Sequence, residues 1–402
     1  MQFSEVIGHK EVKEQLVQLV QQNRLSHSLL FLGKEGSGGL PLALAFAQFI
    51  VCTRGKENKN TVPSLFGEPE EAAEPEVFHD SCGVCASCVK AAKLIHPDVH
   101  YSYPVVPRKS GDKPMATDYI SEWREFVEAS PYGNEYDWLQ FIGAENKQGN
   151  ITAAECNDIN RKLSLKAFEA DYKILVMWMP EQLGKEGNKL LKLIEEPPPD
   201  TIFIFVAEDE DAILPTILSR TQLVKIPPYN HTEIKEALVD RAEVTQEKAI
   251  QVASVCEGNY REALQMLQHA EEDWQGMARD WLKFISRQMI SDQLKWIDEM
   301  AKLGREKQKQ FLRYFIHLTE QAIRIGVIDE TQLANLQMPD NERDFALRLN
   351  KLCGIEAQEA MIKELNDAIY YIERNAHAKL LFHALSIRLY YIIKENSLIL
   401  VN

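Results

Sequence analysis

The chain has 402 residues, 45% of them hydrophobic, and a formal net charge of -15 at pH 7. That length fits two or three domains of about 100–200 residues each, and the acidic balance excludes a protein that grips DNA over its whole surface, because non-specific DNA affinity comes from Lys and Arg neutralising phosphates. The amino-terminal Met1-Gln2-Phe3-Ser4-Glu5 lacks a basic segment followed by an apolar one, and no apolar run reaches the roughly 20 residues that a bilayer requires, so we read a soluble cytoplasmic chain with no membrane contact.

The first informative element is an apolar run, Leu29 to Leu32, followed by Gly33-Lys34-Glu35-Gly36-Ser37-Gly38-Gly39-Leu40 and a helical run from Leu42 to Phe49. This is the strand, loop and helix setting of a phosphate-binding loop, G-x-x-x-x-G-K-[ST], in which backbone amides cradle phosphate, the lysine neutralises the outer phosphates and the hydroxyl holds magnesium. Here Gly39 stands in the place of the lysine and Leu40 in that of the hydroxyl. Lys34, at the second loop position, need not point at the outer phosphates. Gly33, Gly36, Gly38 and Gly39 would then form a vestigial phosphate loop, unless they are an ordinary glycine turn between a strand and a helix.

Seven cysteines in a cytosolic chain should be thiols or metal ligands rather than disulfides. Cys82-Gly-Val-Cys85-Ala-Ser-Cys88 places three thiols at successive two-residue gaps, a spacing that can turn sulfurs toward one tetrahedral zinc. Cys52, at the end of the helix after the loop, is the best fourth ligand, with His79 and His96 as substitutes. A closed four-ligand site has no position for substrate, so zinc here would be structural. Residues 53 to 81 are polar, acidic and rich in proline, which reads as a solvated insertion. Cys156, Cys256 and Cys353 fit buried small apolar positions.

Residues 107 to 150 form a second insertion, whose aromatic stretch from Trp138 to Phe141 reads as local packing. Thr152-Ala-Ala-Glu155 has the form of a capping box, opening a helix that runs toward Phe168. Lys173 to Met179 and Thr201 to Ala207 are buried parallel strands by their continuous apolar character, and Asn188 to Glu196 is a helix stopped by Pro197-Pro198-Pro199. The expected fold is an α/β P-loop-type domain with a parallel sheet over residues 1–228, holding a zinc module at about 52–88 and the insertion at about 107–150. After Pro227-Pro228 the pattern is helical only: a small helical domain over 229–272, then an all-α domain over 273–402.

At this point the residues resemble a known family. Val6-Ile7-Gly8-His9, the loop frame, the cysteine cluster followed by His96-Pro97-Asp98, the segment Asn188 to Pro198, and Leu214-Pro-Thr-Ile-Leu-Ser219-Arg220 occur in the order seen in bacterial sliding-clamp loader subunits, which are AAA+ ATPases. The resemblance covers roughly residues 1 to 270; the later helices match the family's oligomerising collar only in length and helicity. It implies a lid domain at 229–272 and a collar at 273–402. The missing lysine is similar to the subunit of that family that does not hydrolyse ATP. Two further departures agree with it. Trp178-Met179 stands where a motor subunit has its Asp-Glu pair, with Glu181 an exposed-looking acid nearby, and Glu208-Asp209-Glu210-Asp211 stands where the family places a neutral polar sensor.

Ser219-Arg220-Thr221 resembles the family's Ser-Arg-Cys motif, with Thr221 in place of the cysteine. The resemblance implies that Arg220 reaches a neighbour's ATP, where a guanidinium stabilises charge on the transferring phosphoryl group. A surface arginine paired with a nearby acid is the simpler reading. Gly258-Asn-Tyr-Arg261 resembles the second sensor motif, and without a working pocket Arg261 is expected to pack between the first two domains. The implied partners are gamma/tau motor and delta subunits in a hetero-pentamer, the sliding clamp, and primed DNA through the assembly. This chain itself would bind no ATP and show no ATPase activity alone, while belonging to the DNA polymerase III holoenzyme. Two other readings compete: a gamma/tau-like motor with an atypical pocket, and a zinc-dependent nucleic-acid adaptor.

Overall fold

The computed structural model describes residues 1–54, 79–109, 111–144, 147–268, 273–328, 340–374 and 376–395. Most of the acidic insertion read at 53–81, and the boundary at 272, lie outside the described residues. The chain divides into two compact units, Met1–Ala237 with Glu257–Arg261, and Leu238–Cys256 with Glu262–Asn402.

In the first unit, α1 (Lys10–Gln21) precedes β1 (Ser28–Leu32), and the glycine-rich loop leads into α2 (Gly39–Val51). Then come α3 (Ala86–Ala92), β2 (Val99–Ser102), α4 (Ile120–Ala129), α5 (Glu135–Phe141), α6 (Ala153–Leu163) and β3 (Lys173–Trp178). A 3-10 run from Pro180 to Leu190 continues into α7 (Leu191–Glu195), followed by β4 (Thr201–Ala207), α8 (Pro215–Leu218) and β5 (Gln222–Lys225). The five strands form one parallel sheet in the order β2-β3-β4-β1-β5.

Side-chain alternation along the strands builds two cores. Ile202, Ile204 and Val206 of β4 join Leu29, Phe31, Ile174 and Val176 on the face covered by α2. Phe203, Phe205 and Ala207 join Leu30, Leu175 and Met177 on the face covered by α6 and the Pro180–Leu190 run. Both faces are buried, which is why these strands carry continuous apolar runs. The second insertion packs against the first face through aromatic rings: Tyr103 stacks on Trp123 at 4.0 Å, and Trp123 meets Trp138 and Trp178 at 5.3 and 5.2 Å. Local packing, as read for Trp138, is what these rings do.

Two elements differ from the sequence reading. The helix opened by Thr152 ends at Leu163, and the residues toward Phe168 are a loop whose amides at Phe168, Glu169 and Ala170 are taken by the buried carboxylate of Asp98. The helix read from Asn188 to Glu196 is present as the end of a 3-10 run and as α7, Leu191–Glu195, but the helical stretch starts earlier, at Pro180, and breaks at Gly184 (φ +50°).

In the second unit, α9 (His231–Ala242) and α11 (Tyr260–Gln268) each contribute their carboxyl-terminal residues, and α10 (Gln246–Val255) lies wholly within it. A bundle follows: α12 (Trp274–Ser286), α13 (Ile290–Lys302), α14 (Arg305–Val327), α15 (Asp340–Leu352), α16 (Ile355–Glu373) and α17 (Ala378–Glu395). α14 runs between α15 and α16. Trp281 and Trp296 stack at 4.6 Å in its core, with the indole N–H of Trp281 donating to Ser386 Oγ at 2.9 Å.

Candidate functional site: the glycine-rich loop, the cysteine cluster and Arg220

The loop leaves the carboxyl end of β1, where ligand sites of open parallel sheets sit. Gly36 (φ +70°) and Gly38 (φ +84°) hold left-handed backbone that other residues rarely adopt. Each also meets a neighbour too closely for a side chain: a Cβ on Gly36 would lie 1.8 Å from Asn259 Oδ1, and one on Gly38 2.0 Å from Tyr229 Oη. Leu40, in the first turn of α2, is buried in the core, at the position where the loop pattern has a hydroxyl. His9 Nε2 donates to the Ser37 carbonyl at 2.6 Å, and its ring lies 4.6 Å from that of Tyr229. Burial lowers the His9 pKa.

The second insertion supplies Pro131, Tyr132 and Gly133 to the mouth of the loop. Tyr132 Oη accepts from the Ile7 amide at 3.1 Å. What remains among Gly33–Pro41, Pro131–Gly133, Trp178 and Glu208 is a space of about 20 Å³. One water requires roughly 10–15 Å³ by this measure, whereas small-molecule sites run to about 300–1,000 Å³. The space at the loop is thus that of about one water.

Arg261 reaches this loop from the start of α11 and is 4% exposed. Its Nη1 donates to Glu35 Oε1 at 2.8 Å, and its Nε and Nη2 pair with both oxygens of Asp137 on α5, the second at 2.6 Å. Asn259 adds a 3.3 Å bond to the same Glu35 oxygen. Two carboxylates of the chain thus occupy the guanidinium.

More acids crowd the loop. Glu181, read from sequence as exposed-looking, is half-buried, and its Oε1 accepts from the amides of Glu208 and Asp209 at 2.6 and 3.0 Å. Burial raises the pKa of Glu181; burial, then the charges of Glu35 and Glu181, push that of Glu208 well above the carboxylate range. Glu135, held by Gln182 at 2.8 Å, is pushed up to about 7 by burial. The folded chain therefore keeps a proton on Glu135 that the unfolded chain, with the ordinary 4.5, has released. Its contribution to stability falls as pH rises from about 4.5 to 7. Glu135→Gln should accordingly stabilise the chain at pH 7.5 by about 1–3 kcal/mol and leave it unchanged at pH 4.5, which urea melts of the two proteins at both pH values check.

At the other end of α2, the sulfurs of Cys52, Cys82, Cys85 and Cys88 all lie within 4.8 Å of one another. Cys82 and Cys88 are 3.8 Å apart, the edge of a sulfur tetrahedron around a metal at about 2.3 Å. The amides of Cys82, Cys85 and Cys88 point at the sulfurs of Cys52, Cys82 and Cys85 at 3.4, 3.3 and 3.4 Å, contacts that support thiolate charge. The donor set fits a tetrahedral metal. His96 is engaged with Glu169 at 3.2 Å, and neither it nor His79 joins the cluster.

Arg220 sits just after α8. Its Nε donates to Glu195 Oε1 at 2.6 Å and its Nη1 to the Thr216 carbonyl at 2.7 Å and Ser219 Oγ at 3.1 Å. The guanidinium remains about one-third exposed. The pairing with a nearby acid, the simpler sequence reading, is present in the isolated chain.

A parallel sheet with a glycine-rich loop at the carboxyl end of an interior strand defines an α/β protein of the open parallel-sheet class. The family of the DNA polymerase III delta subunit matches residues 8–230, more than half of the chain, and the chain belongs to that family. It is delta-prime-like within it. The DNA polymerase III subunit delta' of Bacillus subtilis is 24% identical over 261 residues, 65% of this chain and 59% of that protein. That of Escherichia coli is 22% identical over 341 residues, 84% of this chain and 81% of its own. The gamma/tau subunit of Mycobacterium bovis is 26% identical over 224 residues, 54% of this chain and 27% of its own. The matches thus span less than two-thirds of the Bacillus and mycobacterial relatives.

Proposed function

We propose that the chain is a non-hydrolysing, delta-prime-like subunit of a DNA polymerase III clamp loader. It supplies Arg220, steadied by Ser219, to the ATP of a neighbouring gamma/tau motor subunit, and acts with motor and delta subunits in a hetero-pentamer that loads the sliding clamp at primed DNA. In this reading residues 229–272 are the lid of an AAA+ module and 273–402 its collar. DNA contact is made mainly through the assembly, and the protein works in the cytoplasm. No helix among the described residues is long and apolar enough to cross a membrane.

The observation that carries the proposal is the closed loop pocket, with about 20 Å³ left and its arginine already paired with Glu35 and Asp137. A P-loop that neither holds magnesium nor has room for phosphate can still serve a neighbour, because an arginine finger needs no nucleotide in its own subunit. Calorimetric titration of the isolated chain with magnesium ATP tests this. No saturable binding is expected up to about 1 mM; micromolar, magnesium-dependent binding would return the chain to the motor class.

The four cysteines are proposed to hold one structural zinc. The segment they would fix also anchors the amino terminus: Asp80 accepts from the amides of Phe3 and Ser4 at 2.9 Å each, and Gln2 Nε2 donates to the Ser81 carbonyl at 2.6 Å. Metal analysis should find one zinc per chain. Cys88→Ser should lose it and lower Tm by more than about 5 °C, since each kcal/mol is worth about 2–4 °C in a unit of this size. Full zinc retention with an unchanged Tm would remove the structural role.

A further inference from the structure

We infer that the groove between α12 and α15 in the second unit is a docking site for an acidic amphipathic helix of a partner protein. The groove encloses about 360 Å³. Its floor is apolar, formed by Leu282 of α12 and by Phe345, Leu349 and Leu352 of α15, the last three at helical spacing on one side. Gln275 and Asn341 exchange two hydrogen bonds, at 2.7 and 2.8 Å, and tie the two helices together, so the groove is preformed.

Its rim is basic in a chain whose net charge is -15. Arg279 and Lys283 of α12 and Arg287, at its carboxyl-terminal cap, line it at four-residue intervals and are all exposed, and Arg348 faces them from α15. The acids present are committed elsewhere or shared. Asp273 caps the Gly276 amide at 2.7 Å, Asp344 pairs with Arg348 at 2.8 Å, and Asp280 lies 3.7 Å from Arg279. Lys283 and Arg287 have no ion pair among the described residues.

An apolar floor under a basic rim complements a helix with an apolar seam at i, i+3, i+4 and i+7 and glutamates or aspartates beside it. α12 and α15 are each 13 residues long, about 20 Å, which matches an occupant of three to four turns. Single-stranded nucleic acid fits less well, because its bases need exposed aromatic faces and Phe345 is buried in the floor.

The probe is a fluorescein-labelled peptide of about 18 residues, long enough to span the groove, with leucines on the seam positions and glutamates elsewhere, followed by anisotropy with the full chain. We expect saturable binding that weakens at least tenfold, about 1.4 kcal/mol, in the double variant Lys283→Glu/Arg287→Glu. A charge-swapped peptide with lysines for glutamates should prefer that variant. Circular dichroism should show the variant folded, both positions being exposed. Leu352→Asp should weaken the glutamate peptide as well. The inference is overturned by equal binding to wild type and double variant, by no binding at all, or by labelled oligothymidylate that binds the wild type and is lost in the variant while the peptide is not bound. None of these outcomes touches the closed loop pocket.

Discussion

Replacing Arg220 by alanine in an assembly reconstituted with motor and delta subunits is expected to lower DNA- and clamp-stimulated ATP turnover at the neighbouring site by about 10²- to 10³-fold, the scale of losing one preorganised transition-state donor. The assembly itself should form with unchanged composition. A surface ion pair such as Arg220 with Glu195 is worth about 0–1 kcal/mol, so the variant's Tm should barely move. That split separates the catalytic role from a structural one, which would move stability and leave turnover alone. The cis pairing also fixes the sign of a second substitution. Under the proposed role Glu195 would compete with the neighbour's phosphate for one guanidinium, so Glu195→Gln should leave turnover intact or raise it. Loss of turnover in Glu195→Gln equal to that in Arg220→Ala would mean that the pair, rather than the arginine, is what the neighbour needs.

The second large effect is expected at Arg261. This guanidinium is the cation that pairs with Glu35 and Asp137, and it lowers the pKa of Glu208 against the pull of burial. Arg261→Ala leaves Glu35 and Asp137 without the cation that holds them. Removing one partner of a buried ion pair costs about 3–5 kcal/mol, and urea melts of the full chain should show a loss of that order. Arg261→Lys should recover only part of it, because an ammonium cannot make the bidentate pair with Asp137. Adding Glu35→Gln and Asp137→Asn to Arg261→Ala should recover stability, since the cost lies in the unpaired charges, and the three changes will not add. A loss below about 1 kcal/mol in Arg261→Ala would place the network among ordinary surface pairs.

The parts of this arrangement that were legible in the sequence are those written locally. The frame of the glycine-rich loop, the missing lysine and hydroxyl, and β1, β3 and β4 could be read from one stretch each, because strands buried on both faces are apolar throughout. β2 and β5 were not read. β2 carries His100 at its one half-buried position and Ser102 at a buried one, and β5 buries only Val224, so neither shows an apolar run or a clean alternation. The cysteine spacing told of a metal-type cluster, and its fourth member required only that the chain fold back from Cys52.

The closing of the pocket was not legible, because it is made by residues far apart in the chain. Arg261 meets Glu35 across 226 positions and Asp137 across 124. Asp137 and Tyr132 belong to the insertion to which the sequence alone gave no role. Trp178 could be seen to displace an acidic pair, but not that it anchors the aromatic cluster holding that insertion in place. Glu35 stands at an unspecified position of the loop pattern, and its partner can be found only once α11 is brought to the loop. Arg220 is the reverse case: its motif was readable, and its partner Glu195 in the structure matches the reading of a surface arginine paired with a nearby acid, while the role toward another subunit is a proposal.

The measurement that tests the central claim most directly is nucleotide photo-crosslinking in the complete assembly, with azido-ATP and magnesium, followed by separation of the subunits. The account predicts label on the motor subunits and none on this chain, both with wild-type protein and with Arg220→Ala. Stoichiometric label on the loop between Gly33 and Leu40 of this chain, competed by unlabelled ATP, would contradict it and make this subunit a nucleotide-binding partner in its own right.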